Sequence, residues 1–220
     1  MAVRYLANLI GIVLVCFFSL PHGFAASAAD RFVSVEDLKA DLQTRDIDRI
    51  VKALNVVKQM KYQGQVLPFL VDLWTNQKDK YPDLQWEIIN SDIVKVDIAN
   101  VLLQAQRNGR IQIGKGSVYE FVASLLDSSD VQVAQNAILT LSLIDEPRSA
   151  ERILSAANRK NKWTFRSSFL ALTSMCHPSA DKALDQLEIR VTDDSELTAA
   201  IQKGRLKMME YKTRTGMCKN

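Results

Sequence analysis

Residues 118–144 read Val118-Tyr-Glu-Phe-Val-Ala-Ser-Leu-Leu-Asp-Ser-Ser-Asp130-Val-Gln-Val133-Ala134-Gln-Asn-Ala137-Ile-Leu-Thr-Leu141-Ser-Leu-Ile144. The part from Val131 to Ile144 carries no charged residue, and its apolar positions take up most of a helix circumference. A helix of that kind is stable only when neighbours cover it on more than one side. Asp130 stands immediately before it, where a carboxylate accepts from the first free N–H groups. The apolar run 118–126 supplies a first helix to lie against it. The stretch is therefore a helical hairpin whose second member is enclosed, which requires further helices on either side.

Outward from this hairpin the same pattern recurs. The chain has 8 Gly and 5 Pro in 220 residues and no sustained period-two alternation, so the fold class is all-α. Cap residues predict helix starts at Ser34 with Asp37, Asp46, Ser91, Ser117 with Glu120 as a capping box, Asp130, Ser149, Ser179 and Ser195. These come in pairs: 34–43 with 46–60, 64–77 with 91–107, 117–126 with 130–144, 148–158 with 163–175, and 179–190 with 195–213. The first helices of the last three pairs begin roughly 31 residues apart, a period that belongs to stacked helical repeats in which each hairpin buries its faces against its neighbours. The second pair is stretched by residues 76–90, which contain Tyr81-Pro82-Asp83 and Trp86. The uncharged second helix puts the third pair at the centre of the stack.

The stretch from Val118 to Leu141 resembles a repeat of the HEAT and armadillo-like α-solenoids: an apolar first helix, an aspartate-bearing turn, and a second helix with Val-Arg-x-x-Ala and a leucine four residues on. Here Ala134 replaces the arginine. In the fourth pair Phe165-Arg166 keeps the basic position while Phe169 replaces the alanine, and Val94-Lys95 with Ile98 is similar to the same step. Val66-Leu-Pro68-Phe-Leu-Val-Asp-Leu73 resembles the family's proline-containing first helix. The resemblance implies a right-handed α-solenoid of about five helical hairpins, an armadillo-type superhelix, over residues 29–213. It also implies that the second helices line a concave side. Aligning those helices on Val94, Val133 and Phe165 places Asp97, Asn100 and Gln104 beside Gln132, Asn136 and Leu139, then Thr164, Ser168 and Ala171. That stripe is polar and barely charged, and reads either as a groove that hydrogen-bonds a peptide or glycan strand or as a wet face.

The N-terminal residues speak to compartment. Arg4 precedes an apolar block at 9–20, Pro21 breaks it, and Ala26-Ser27-Ala28 fits a signal-peptidase site. The block is shorter than the ~20 apolar residues that span a bilayer. The expectation is a cleaved signal peptide at 1–28, a periplasmic or secreted protein beginning at Ala29, and no stable membrane anchor after cleavage. Cys16 follows the bulky Val15, which argues against a lipoprotein.

Charge excludes one broad class. The chain has 28 basic against 25 acidic residues, a net charge of +3, and losing Arg4 leaves the mature protein nearly neutral, so general nucleic-acid binding has no support. Basic residues concentrate near the C-terminus as Lys203, Arg205, Lys207, Lys212, Arg214 and Lys219, with Glu210 the one acidic residue among them. Residues 214–220 read as a basic tail, where cations complement a helix end.

Catalytic and metal motifs are incomplete. Gly109-x-x-x-x-Gly114-Lys115-Gly116 puts glycine where a phosphate-binding loop needs Ser or Thr, and a helix precedes it, so the glycines read as a turn between helices. Cys176, His177 and Cys218 supply three ligands at most, without the spacing of a zinc site. Neighbouring Cys176 and His177 side chains diverge, unlike a nucleophile and its base. In an oxidising compartment Cys176 and Cys218 are expected to form a disulfide. Trp74, Trp86 and Trp163 read equally as packing groups or as ligand platforms. The reading is a non-catalytic exported interaction module, without cofactor or metal, for another envelope protein or an extended polymer. The alternative is a thiol-based redox or metal-handling protein using Cys176, His177 and Cys218. The family also contains lyases and DNA glycosylases, whose intracellular substrates the export leader sets aside.

Overall fold

Local capping decides where each helix begins. The computed structural model describes residues 34–59, 66–157, 161–216 and 218, and every regular element among them is helical. The helices are α1 (Val35–Leu42), α2 (Ile47–Gln59), α3 (Val66–Trp74), α4 (Trp86–Ile89), α5 (Asp92–Arg107), α6 (Lys115–Ser124), α7 (Val131–Leu141), α8 (Pro147–Ala156), α9 (Lys162–Ser174), α10 (Pro178–Ile189) and α11 (Ser195–Thr215), with a 3-10 turn at Lys78–Lys80. The leader expected at 1–28 lies outside the described residues. Among the described residues no helix is long and apolar enough to cross a membrane.

The helices expected for the five pairs are present in order; α1 packs on α2, α3 on α5, α6 on α7 and α8 on α9, whereas the main partner of α11 is α9 and not α10. The 3-10 turn and α4 occupy the stretched segment. Ser34 with Asp37 forms the expected capping box, and the Asp130 carboxylate accepts from the N–H groups of Gln132 and Val133. Four expected caps move. α6 starts at Lys115, so Ser117 lies inside its first turn and donates to the Gly114 carbonyl. Pro147 and Pro178 each occupy N1, where the missing N–H costs nothing, so α8 starts two residues before Ser149 and His177 caps α10 in place of Ser179. Asp194, not Ser195, caps α11. Gly109 (φ +69°) ends α5 as expected, with Arg110 N–H returning to the Ala105 carbonyl, and Asn76 (φ 55°) ends α3 the same way. The last helix runs through Arg214 and Thr215, which were expected in the tail.

α2 packs on α5, α5 on α7, α7 on α9, and α9 on α11. The other members lie against this row: α1 on α2, α3 on α5, α6 on α5 and α7, α8 on α7 and α9, and α10 on α8 and α9. Two apolar clusters result. Val94, Ile98, Val101, Leu102 and Ala105 of α5 enter the N-terminal one, while Val96, Ala99 and Leu103 enter the other. α7 is enclosed as its sequence requires, but the wall shared by both cores is α5.

α11 approaches α9 closely because Gly204 lacks a side chain: a Cβ there would lie 2.8 Å from Cζ of the buried Phe169. Gly204→Val should therefore lower stability by about 2 kcal/mol despite its better helix propensity, since overpacking outweighs the ~1 kcal/mol that glycine costs a helix. Urea unfolding measures it, and a variant as stable as the parent would remove the close-approach argument.

Candidate functional site

The polar residues of the second helices meet in a seam. Lys58 Nζ, from α2, donates to Asp97 Oδ1 of α5 at 2.7 Å and to Asn55 Oδ1 at 3.1 Å. Asn136 Nδ2, from α7, donates to the same Asp97 oxygen at 3.1 Å, and Gln132 Nε2 donates to Asn136 Oδ1 at 2.9 Å. One turn further along α5, Gln104 donates to Asn100, which donates to Thr140 Oγ1 of α7 at 2.9 Å. Between α7 and α9, Gln135 donates to Ser167 at 3.3 Å, and Ser174 donates to Ser142 at 3.3 Å.

These bonds give the register. Asp97 and Asn136 are 39 residues apart, and Gln135 with Ser167, like Ser142 with Ser174, are 32 apart. They are the offsets obtained by aligning Val94, Val133 and Phe165, and because Gln135 within α7 and Ser142 just beyond its C-terminus pair at one offset, α7 and α9 are parallel.

Exposure divides the expected stripe. Gln132 is exposed, and Asn100, Gln104 and Asn136 are half-buried. Asp97 is 1% exposed, and Thr164 and Ser168 are buried as well, so these three face helix–helix contacts instead of the groove. On α9 the solvent strip is Lys162, Trp163, Arg166 and Leu170. Lys58, Gln135 and Ser167 complete the seam, and none of them stood in the expected stripe.

Burial raises the Asp97 carboxyl above the ordinary carboxylate range, opposed by the Lys58 charge and hydrogen bond. Its Oδ2 is buried without a hydrogen-bond partner, while the Lys58 side chain keeps 18% exposure. The centre is thus a carboxylate enclosed by two donors that share one oxygen. It joins three helices more than it presents a reactive group.

The chain matches no protein-family model, no curated protein and no solved structure.

A second polar centre lies at the C-terminal ends of the row. Cys176 and Cys218 form the expected disulfide, with Cα atoms 5.3 Å apart. Asp145, just beyond α7, accepts from Cys176 N–H at 3.0 Å and from His177 N–H at 2.8 Å. His177 caps α10: its Nδ1 accepts from Ser179 N–H at 3.1 Å and lies 2.8 Å from Ser179 Oγ. Arg107 Nη2, ending α5, donates to Cys176 Sγ at 3.5 Å, and Lys212 Nζ of α11 donates to the Met175 carbonyl. Burial lowers the Lys212 ammonium from its ordinary value, with Asp181 and Asp145 opposing and Arg107 reinforcing. Among the described residues no three His, Cys, Asp or Glu side chains converge to hold a metal ion.

The tryptophans separate by environment. Trp74 packs edge-on against Phe121 at 5.5 Å with the Lys95 ammonium over both rings, and Trp86 Nε1 donates to the Tyr81 carbonyl at 2.9 Å. Trp163 is 43% exposed at the start of α9, beside Lys162.

Proposed function

We propose that this chain is a non-catalytic, exported scaffold built as a right-handed solenoid of five HEAT-like hairpins, which binds another envelope protein or an extended polymer along its second helices. The observation that carries the reading is the amide ladder Gln104, Asn100, Asn136 and Gln132. Gln132 is exposed and the other three are half-buried, on two neighbouring helices whose register the Asn136–Asp97 bond fixes. An extended strand offers a repeating set of amide or hydroxyl groups, and a periodic row of side-chain amides is chemically suited to it. Half-exposed Leu139 and Leu170, together with Trp163, add apolar contact beside the ladder. The disulfide fits an oxidising compartment, which supports export.

The test is photocrosslinking in the native envelope before lysis. A photoreactive residue at Gln132 or Gln104 should give one discrete adduct, and the same residue at Glu87, outside the seam, should give none. Equal labelling at all three positions, or none at Gln132 and Gln104, would retire the groove.

A further inference from the structure

The C-terminal end of α11 is fastened by the Cys176–Cys218 bond and by Lys212 on the Met175 carbonyl, and the middle of the helix by the close approach of Gly204 to Phe169. The two sulfurs are not equivalent. Cys218 is exposed, beyond the left-handed Gly216 that ends α11 (φ 65°). Cys176 is half-buried, and its backbone N–H is held by Asp145. Its sulfur lies 3.5 Å from Arg107 Nη2.

We propose that Cys218 is a thiol–disulfide exchange site for an external dithiol, with Cys176 as the leaving thiolate stabilised by Arg107, and that opening the bond releases the end of α11. This inference does not rest on the scaffold reading. An attacking thiolate needs access, which selects the Cys218 sulfur, and exchange is faster when the departing sulfur carries negative charge comfortably. The departing sulfur sits beyond the C-terminal ends of α5 and α9, whose dipoles oppose an anion, and just before the N-terminus of α10, whose dipole favours one, while the Asp145 carboxylate on the Cys176 N–H adds a negative charge nearby. The Arg107 guanidinium and the Lys212 ammonium supply the compensating charge.

The steps balance as ordinary exchange. The external thiolate forms a bond to Cys218 Sγ, the S–S bond breaks, and its electron pair leaves on Cys176 Sγ. The second thiol of the reagent then attacks its own sulfur in the mixed disulfide and expels the Cys218 thiolate. The protein gains two electrons and two protons, and the dithiol becomes a disulfide. Asp145 keeps Cys176 in place, so α11 moves and α9 does not.

The experiment uses the protein with its Cys176–Cys218 bond intact, with glutathione and dithiothreitol as probes. Acid-quenched peptide mapping after brief glutathione treatment should find the mixed disulfide on Cys218; adducts on Cys176, or on both equally, would overturn the assignment. Arg107→Gln should slow reduction by dithiothreitol roughly three- to tenfold, and Arg107→Lys should restore most of the rate, because either cation stabilises the leaving thiolate. An Arg107→Gln protein reduced at the parental rate would remove the guanidinium's role. Hydrogen exchange of the reduced protein should show lost protection after Gly204 and unchanged protection in α7 and α9. Full protection of α11 after reduction would mean that the bond does not act as a latch. A Cys176→Ser/Cys218→Ser variant should reproduce the reduced pattern.

Discussion

Lys58→Met is expected to lower the unfolding free energy by about 3–5 kcal/mol near neutral pH, the usual loss when one member of a buried ion pair is removed. Asp97 is then left 1% exposed without its cation, with Asn136 as its remaining donor. Asp97→Asn should instead change stability by no more than about 1 kcal/mol, since it removes the buried charge along with the need for a cation. The double variant should therefore recover most of what Lys58→Met loses. The pH dependence has a definite sign. Burial raises the Asp97 carboxyl above the ordinary value of 3.8, so the folded protein binds that proton more tightly than the unfolded chain does. Stability contributed by the protonated form is complete below 3.8 and falls as pH rises through the higher folded value. Lys58→Met, which pushes the folded value higher still, should fall more steeply over that range, and Asp97→Asn should not show this fall. Urea titrations from acid to neutral pH decide it; a Lys58→Met protein as stable as the parent at pH 7 would mean that the pair does not hold α2 to α5.

Asp145→Ala should lower stability by about 2–4 kcal/mol, from two hydrogen bonds to a charged acceptor and the favourable placing of a carboxylate at the start of α10. The loss should concentrate in α10, where amide exchange of the first turn should speed up. Asp145→Asn keeps a single acceptor and should lose about half as much. If the alanine variant melted with the parent and kept its α10 protection, the bracket between α7 and α10 would contribute nothing.

Much of the helical architecture was legible because its signals are local. Caps at Ser34 and Asp130, the glycine that ends α5, and the uncharged face of α7 are each read within one helix length. The register of α5, α7 and α9 was legible too, because it follows from matching the apolar steps at Val94, Val133 and Phe165. The two starts at Pro147 and Pro178 were misplaced because a serine within the first turn of a helix looks like a cap, whereas proline at N1 is the better marker. Side-chain exposure was less legible. Thr164 and Ser168 read as surface by polarity, yet they are buried, their small size suits close helix contact, and α9 has four helices packed on it, which a local pattern does not reveal. Asp97 read as a groove residue because its partner is 39 residues away on α2, beyond the range of any periodicity. The disulfide was legible from two cysteines placed after successive second helices; Arg107, 69 residues before Cys176, was not.

Nine buried side chains of α5 are divided between the two cores or, for Asp97, lie at their junction. Cooperativity follows from that division. When α1 and α2 fray, they take Lys58 with them and leave the Asp97 carboxyl without its cation on the helix that the other core also uses as its wall. The cost of opening one end is thereby felt in the middle, so the N-terminal pair should not melt as an independent unit. A chain whose neighbouring pairs touch only through apolar surface would fray one pair at a time; here a single displaced ammonium ties the terminal pair's fate to that of the molecule.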